Sequence, residues 1–352
     1  MRRVLHLTDR GIVLSPDLPG GEHYAYDGGG VREASVVLHQ NTYYLSYDGA
    51  MPGATPRSYW NACLAESCDL LHWKKLGPRL LASELRHPGG KPEQFRDLKS
   101  ASSPWFYFDK DLWHIYYLGA DHCNPEGVPG FCYSTMYAQA KTLTGEWVKR
   151  SDLPGRGAEV CFPTGRTGSW DDATASPGQV LENPLYSPGN GEYRYLMFYS
   201  GSCSPVTKRS LGIARTNHLS VTDNFDRREG NFWVKDPDPI LSPDEDIENS
   251  SVFYEEESGL YWLFTNHIYN NQYTDAVWVY WSKNINRWKE SDKAVVVDAA
   301  VSSWAKGAIG MPSVVRRGDT LALLYDGVAG DGTGHLGRQI GLCEIALPIA
   351  VG

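Results

Sequence analysis

Short runs in which apolar and polar residues alternate recur along the whole chain, and many contain aromatic and β-branched residues. This alternation predicts half-buried β-strands. Clusters of glycine, aspartate and asparagine between the runs predict tight turns. No segment keeps a sustained 3.6-residue period, so helices are expected to contribute little to the fold.

A tryptophan followed by lysine closes the same kind of β-rich unit four times. The copies are Trp73-Lys74-Lys75, Trp147-Val148-Lys149, Trp233-Val234-Lys235 and Trp288-Lys289. They recur roughly every 55 to 85 residues, as the blades of a large propeller do. The pairs fall on the predicted outer strands, so we expect them to pack the blades. In the fourth unit the predicted outer strand is Arg287–Lys289.

A fifth unit lacks its Trp-Lys strand, and a strand-like segment before Ser15 has no assigned partner. If the N-terminal segment completes the last unit, no sheet edge is left exposed. The sequence therefore predicts one all-β domain, 1–352, folded as a five-bladed β-propeller. Its blades are expected at about 31–80, 98–150, 172–240, 248–297 and 310–348 plus the N-terminal strand. Two packed sandwiches are the alternative fold.

The composition limits the classes of partner that the protein is expected to bind. The net charge is −9 and no basic run is present, which argues against nucleic acid. No stretch has the length of a transmembrane helix, so no membrane partner is expected. The apolar run that starts after Arg3 ends at Asp9, too early for an export signal. The seven cysteines show no paired zinc spacing, which favours buried free thiols and a cytoplasmic location.

Strand direction predicts where chemistry should lie. In a four-stranded antiparallel blade the first strand begins on the same face as the loop between the second and third strands. Carboxylates precede four of the five first strands: Glu33, Asp97, Asp172 and Glu248. Each alone is an ordinary turn former. A ring of four at equivalent places indicates a site.

Polar residues also follow the second strands on this face. Three histidines take equivalent positions, and the last loop adds further polar groups. Trp60 is a candidate sugar platform beside the loop 49–58. The candidate binding residues are Arg32, Trp60, His122, His267, Asp326 and Arg338, with His335 as a further catalytic candidate.

The arrangement resembles the five-bladed β-propeller glycosidases of families 43, 32, 117 and 130. The ending Tyr325-Asp326-Gly327, followed by residues 334–342, looks like the last blade of such enzymes. The family 32 signatures are not present. The resemblance implies one catalytic carboxylate in each of three successive blades, carried here by Glu33, Asp97 and Asp172. It also implies Glu248 as an extra acid, or a histidine acid as in family 117, for which His335 or His267 could serve.

Glycoside cleavage needs one carboxylic acid and one carboxylate. The leading hypothesis is an exo-acting glycoside hydrolase that removes a terminal furanose or unusual pyranose, inverts the anomeric centre and requires no cofactor. Long loops at 49–58, 87–97, 124–130 and 266–275 would close its pocket.

Two alternatives stay open, and the oligomeric state is undecided. One is a metal-dependent carbohydrate-processing enzyme, deacetylase-like, with a single divalent ion at His122, His267 and His335. The other is a glycan-binding propeller without catalysis.

Overall fold

The computed structural model describes residues 5–55, 58–91, 94–121, 133–150, 161, 164–203, 208–219, 233–268 and 276–351. These residues are almost entirely β. No helix among them is long and apolar enough to cross a membrane. The strands are β1 (Thr8–Leu14), β2 (Gly30–His39), β3 (Thr42–Thr55), β4 (Ser58–Ser67), β5 (Lys74–Leu80), β6 (Ser100–Asp109), β7 (Leu112–Ala120), β8 (Tyr133–Ala140), β9 (Val148–Lys149), β10 (Thr174–Ser176), β11 (Val180–Glu182), β12 (Tyr195–Ser202), β13 (Arg209–Thr216), β14 (Val234–Lys235), β15 (Ile247–Glu255), β16 (Leu260–His267), β17 (Ala276–Ser282), β18 (Lys293–Asp298), β19 (Ala305–Arg317), β20 (Thr320–Ala329) and β21 (Arg338–Ala346). The helices are α1 (Tyr24–Asp27), α2 (Ser83–Arg86) and a 3-10 turn at Pro243–Glu245.

Successive strands pair antiparallel in groups within the described ranges. The groups are β2–β5, β6–β9, β10–β14, β15–β18, and β19–β21 together with β1. In the third group β10 and β11 both pair with β12, as two pieces of one interrupted first strand. Single parallel bridges, Asn61 to Ala101 and Thr174 to Tyr133, join the first three groups.

Side chains tie each group to the next. At each of five junctions a side chain on one group bonds a backbone atom on the first strand of the next group. The bonds are Ser46 Oγ to the Pro104 carbonyl (2.8 Å), Thr135 Oγ1 to the Ala175 carbonyl (2.8 Å), Val252 N–H to Gln179 Oε1, Val314 N–H to Ser251 Oγ (3.2 Å) and Val36 N–H to Ser313 Oγ (3.0 Å). The last bond joins the fifth group to the first, so the groups form a closed ring.

The N-terminal strand completes the last group. β1 runs antiparallel to β21 from Thr8, opposite Glu344, to Leu14, opposite Ile340. This pairing confirms the prediction made from the missing outer strand. Leu14 is 5% exposed and joins the core cluster of the first and last groups. The strand covers an edge that would otherwise expose backbone donors and acceptors.

The lysines of the repeat are buried ion-pair partners. In the first three groups a lysine amine contacts an aspartate that also accepts a tyrosine hydroxyl from the second strand. The sets are Lys75 with Asp27 and Tyr47, Lys149 with Asp97 and Tyr117, and Lys235 with Asp171 and Tyr199, each with the amine at 2.6 Å. Burial raises the pKa of the Tyr47 and Tyr199 hydroxyls above their usual range, so both remain donors.

The tryptophans of the repeat close turns. The indole N–H donates to a carbonyl three or four residues earlier, at Trp73 to Leu70 (2.9 Å), Trp147 to Leu143 (2.9 Å) and Trp288 to Ile285 (2.9 Å). In the fourth group the predicted outer strand Arg287–Lys289 is wrong. The outer strand is β18, which pairs with β17 at the edge of the group. On this strand Lys293 supplies the amine that contacts Glu245.

Leu14→Ala should test closure. We expect it to lower the free energy of unfolding by about 2–4 kcal/mol, because it leaves a cavity between the first and last groups. Ile12→Ala on the same strand is the matched control: Ile12 is 39% exposed, so its loss should cost about 1 kcal/mol or less. Urea unfolding measures both. Equal effects would mean that β1 does not seal the ring.

Lys149→Met should test the buried ion pairs. The Lys149 and Asp97 side chains are 1% and 0% exposed, so the variant strands a buried carboxylate and should lose about 3–5 kcal/mol of stability. Lys74→Met is the control, because Lys74 is 75% exposed where it meets Glu66. Its stability should change by less than about 1 kcal/mol. A Lys149→Met protein as stable as the control would contradict this role.

Candidate active site

Each first strand is interrupted where it reaches one end of the ring. The register shifts by a bulge between Arg32 and Ser35, Ser102 and Trp105, Ile247 and Ser250, and Gly310 and Ser313. Three bulge residues take left-handed backbone conformations: Glu33 (φ 52°), Ser103 (φ 48°) and Met311 (φ 52°). Bulges re-aim side chains and are frequent beside active sites. We call this end of the ring the mouth.

The bulges bring four residues together. Glu33, Ser103, Asn249 and Met311 line one small cavity, which is walled by Ala34, Trp105 and Pro312. The Asn249 amide contacts the Met311 sulfur. Among these four residues, Glu33 alone carries a carboxylate. The side chain of Glu33 is 14% exposed, so solvent and a ligand can reach it.

Glu33 is held from three directions. The Ser103 hydroxyl donates to its Oε2. The Arg32 guanidinium lies 3.4 Å from its Oε1. Its own backbone N–H donates to Asp326 Oδ2 at 3.0 Å. These contacts fix the orientation of the Glu33 carboxyl group, whereas the carboxyl group of an exposed loop residue would be free to rotate.

Two fully buried carboxyl groups support these bulges. Asp326 pairs with Arg338 Nη1 at 2.5 Å, and Asp48 Oδ1 accepts the Ser103 N–H at 2.5 Å. Burial raises the pKa of Asp326, while the adjacent Arg338 acts in the opposite direction. Burial and the negative charge of Glu33 raise the pKa of Asp48 well above its usual range. Two buried carboxyl groups with raised pKa values therefore lie behind the bulges of the mouth.

Arg32 connects Glu33 to His335. Its Nη1 lies 2.7 Å from His335 Nδ1, and its guanidinium stacks 3.9 Å from the centre of the Trp60 ring. A guanidinium can only donate, so Nδ1 accepts and the neutral imidazole carries its proton on Nε2.

Several predicted site residues support the mouth from below. Trp60 is 1% exposed and its indole donates to the Thr55 carbonyl, so the predicted sugar platform is wrong: the ring backs Arg32 instead. Asp326 and Arg338 are buried and cannot touch a ligand directly. The predicted loop 49–58 is mostly strand, because β3 and β4 continue as a hairpin to Thr55 and Ser58.

Other predicted residues lie in ion pairs or loops. Asp97 is fully buried with Lys149, Tyr117 and Ser83, so its carboxylate serves the second group and does not line the cavity. Asp172 accepts the Gly168 N–H at 2.7 Å, and its neighbour Asp171 takes the Lys235 pair.

Glu248 immediately precedes Asn249 in the fourth bulge. It lies 3.5 Å from Arg209 Nε with 27% of its side chain exposed. Of the carboxylates predicted beside Glu33, Glu248 thus stands next in sequence to a cavity residue.

Of the three predicted histidines, the structure describes two, His267 and His335, and they have different partners. His267 stacks on Trp278 and contacts the Tyr280 hydroxyl at 3.0 Å, and burial lowers its pKa to about 4. It is therefore neutral near pH 7 and belongs to the fourth group. His335 lies beside Arg32 instead, and His122 lies outside the described residues. Within the described ranges no three metal-binding side chains come together.

Ser103, Asn249, Met311 and Asp48 were missed. The sequence carries a weak signal for the first three, a pattern of four positions. The first position varies, the second is a small residue or proline, the third is often serine, and the fourth is apolar. It recurs as Glu33-Ala34-Ser35-Val36, Ser103-Pro104-Trp105-Phe106, Asn249-Ser250-Ser251-Val252 and Met311-Pro312-Ser313-Val314. Aligning these segments would have placed Glu33 with the other cavity residues. Asp48 carries a different signal: Tyr47-Asp48-Gly49 matches Tyr325-Asp326-Gly327 at the same place on a second strand. Its partner Ser103 lies 55 residues away and is not indicated by that match.

No protein-family model and no curated protein matches this sequence. Solved structures do. A glycoside hydrolase superposes with a TM-score of 0.68 at 14% identity, covering 96% of this chain and 92% of the other. A family 117 glycoside hydrolase from the marine bacterium Zobellia galactanivorans gives 0.62 at 16% identity over 99% and 92%. An α-L-arabinofuranosidase from Podospora anserina in complex with cellotriose gives 0.58 at 13% over 97% and 96%.

These likenesses extend over nearly the whole chain at identities that speak for the fold alone. They agree with the nearly all-β ring and with the resemblance noted in the sequence. The chain has the fold of the propeller-type glycoside hydrolases.

Proposed function

We propose that the protein is a glycoside hydrolase that removes a terminal sugar from a small glycan at the mouth, and that its five strand groups are the five blades of a propeller. The observation that carries the proposal is Glu33. It is a partly exposed carboxylate in a left-handed bulge, held by Ser103, Arg32 and Asp326 beside a cavity. Left-handed residues other than glycine persist where the surrounding structure holds them, often at functional sites.

Hydrolysis needs a second carboxyl group opposite the first. We assign this role to Glu248, because it adjoins Asn249, which lines the cavity with Glu33. Asp97 is engaged with Lys149. Asp172 precedes β10, four residues before its last residue Ser176, and is not next in sequence to a cavity residue. Glu33 then acts as the base that activates water, and Glu248 protonates the leaving oxygen. No cofactor is required by this scheme.

The mouth favours a terminal sugar. The cavity beneath Glu33 is only about 10 Å³, room for one water-sized group, and Trp105, Met311 and Pro312 wall it. A closed floor prevents a glycan from passing along the ring axis, which supports entry of a terminal sugar. His335 contacts Arg32, the residue before Glu33, and is therefore a candidate to bind a sugar at the mouth.

One observation favours a second candidate function. Ser103, Asn249 and Met311 take bulge positions around Glu33, and none is a carboxylate. A glycan-binding propeller without catalysis would tolerate this set. In that case Glu33 would bind a sugar hydroxyl. Replacing Glu33 would then weaken glycan binding, and there would be no turnover to abolish.

Glu33→Gln and Glu248→Gln should each lower turnover by about a hundredfold or more, because each removes a proton-transfer group or nucleophile from the transition state. Glu66→Gln is the matched control, since Glu66 is also a partly exposed glutamate (29%) beside a basic side chain, Lys74. Thermal melting should stay close to that of the parent. Near-normal turnover in a well-folded Glu33→Gln protein would remove Glu33 from the catalytic set.

A panel of aryl glycosides that includes furanosides should identify a substrate. We expect release of a single sugar, inversion of the anomeric centre by NMR, and unchanged rates after exhaustive chelation, because two carboxyl groups suffice for the reaction. Loss of activity on chelation, restored by a divalent ion, would support a metal-dependent enzyme instead. Glycan binding with no turnover across the panel would support the non-catalytic reading.

A further inference from the structure

Ser103 adopts a backbone conformation that its own sequence disfavours. It precedes Pro104, and its φ of 48° lies in the left-handed region. The ring of a following proline crowds the backbone before it and pushes that residue towards extended conformations. Serine has no special tolerance of the left-handed region, unlike glycine or asparagine. Contacts from elsewhere in the fold must therefore hold it.

Asp48 supplies such a contact. Its buried carboxyl group on β3 accepts the Ser103 N–H on β6, across the junction between the first two groups. A side chain at the corresponding place on a second strand accepts the bulge N–H at two other bulges, once across the junction of the last and first groups and once within the fourth group. The three pairs are Asp48 with Ser103, Asp326 with Glu33, and Asn266 with Asn249. The bulge geometry is thus built by specific acceptors.

With its backbone fixed in this way, Ser103 directs its hydroxyl to Glu33 Oε2. A hydrogen bond donated to a carboxylate stabilises the charged form. Nearby carboxyl groups act in the opposite direction, and basic groups assist. The charged and titratable groups that contact Glu33 or its immediate neighbours are Arg32 on its own strand, Asp48 on β3, Asp326 on β20, Arg338 on β21 and His335 before β21. Glu248 on β15 pairs with Arg209.

We propose that Ser103 is a positioning residue whose hydroxyl orients the Glu33 carboxyl group and favours its ionised form, and that Asp48 acts through Ser103 by holding its backbone. Only the role given to Glu33 rests on the proposed function. The contact itself can be tested without a substrate.

The first test is a carbon-13 NMR titration of the Glu33 carboxyl group in the full chain, assigned with Glu33→Gln. Ser103→Ala should raise the pKa of Glu33 by about one unit or more, because a bond to a charged group is lost. Ser103→Gly should do the same and also relieves the backbone, so it serves if the alanine variant does not fold. Ser102→Ala is the control, since the Ser102 hydroxyl contacts Ser100. It should leave the titration unchanged.

The second test concerns Asp48. Asp48→Asn keeps an oxygen that can accept the Ser103 N–H, whereas Asp48→Ala removes it. Both remove the carboxyl group, so their difference isolates the support of the backbone. Glu33 should titrate at a higher pH in Asp48→Ala than in Asp48→Asn. Equal titrations would overturn the part given to Asp48.

Where a substrate is known, Ser103→Ala should also move the acidic limb of the kcat/KM profile to higher pH, and Ser103→Asn, which tolerates the backbone and keeps a donor, should move it back. A Glu33 titration unaltered in both Ser103→Ala and Ser103→Gly would overturn the proposal. If the parent protein turns over no glycoside of the panel but Ser103→Ala still shifts the Glu33 titration, the proposed function is refuted and the contact is upheld.

Discussion

The bond from the Glu33 N–H to Asp326 Oδ2 spans the junction where the last group of strands meets the first. The same carboxyl group pairs with Arg338, so one buried side chain joins closure of the ring to the geometry of the mouth. If the ring opened, Glu33 would lose its backbone acceptor and Arg32 would lose His335. The N-terminal strand matters for the same reason: by pairing with β21 it completes the group that carries Asp326 and Arg338.

Buried charge serves two different purposes in this fold. In the first three groups, lysine, aspartate and tyrosine form nearly identical sets that complete the polar contacts inside each group. Breaking such a pair is costly because it strands a desolvated charge. At the mouth, three carboxyl groups lie close enough to affect one another electrostatically. Asp48 and Asp326 both have raised pKa values, and Glu33 keeps access to solvent. Crowded carboxyl groups of this kind suit acid–base chemistry.

The mouth also shows how a repeated backbone carries unequal chemistry. The bulge recurs in successive first strands, yet the residues it presents around the cavity differ: a glutamate, a serine, an asparagine and a methionine. Serine and asparagine offer hydrogen bonds, and methionine offers an apolar surface. A cavity with one carboxylate among its four bulge residues differs from the set of three carboxylates that the resemblance implies. Its substrate is expected to differ accordingly.

The sequence by itself determined the strands, the turns and the pairing of the N-terminal segment with the last strand. Alternation, turn residues and the Trp-Lys repeat are local signals, and the missing outer strand left one natural partner for β1. It also indicated Glu33 as a candidate site residue, because that residue precedes the predicted first strand 35–38. The sequence pattern misplaced Lys289, Asp97 and Trp60. From the sequence alone, a lysine or aspartate near a strand end that faces an ion-pair partner cannot be distinguished from one that faces a cavity.

Only the tertiary structure decided between those outcomes. Ser103 meets Glu33 across 70 residues of chain, and Arg32 meets His335 across 303. Such contacts depend on bulges whose left-handed residues are held by acceptors on other strands. No local propensity favours that conformation for glutamate, serine or methionine, so no local pattern predicts it. The composition of the mouth is therefore set by ring closure, which juxtaposes residues that the chain keeps far apart.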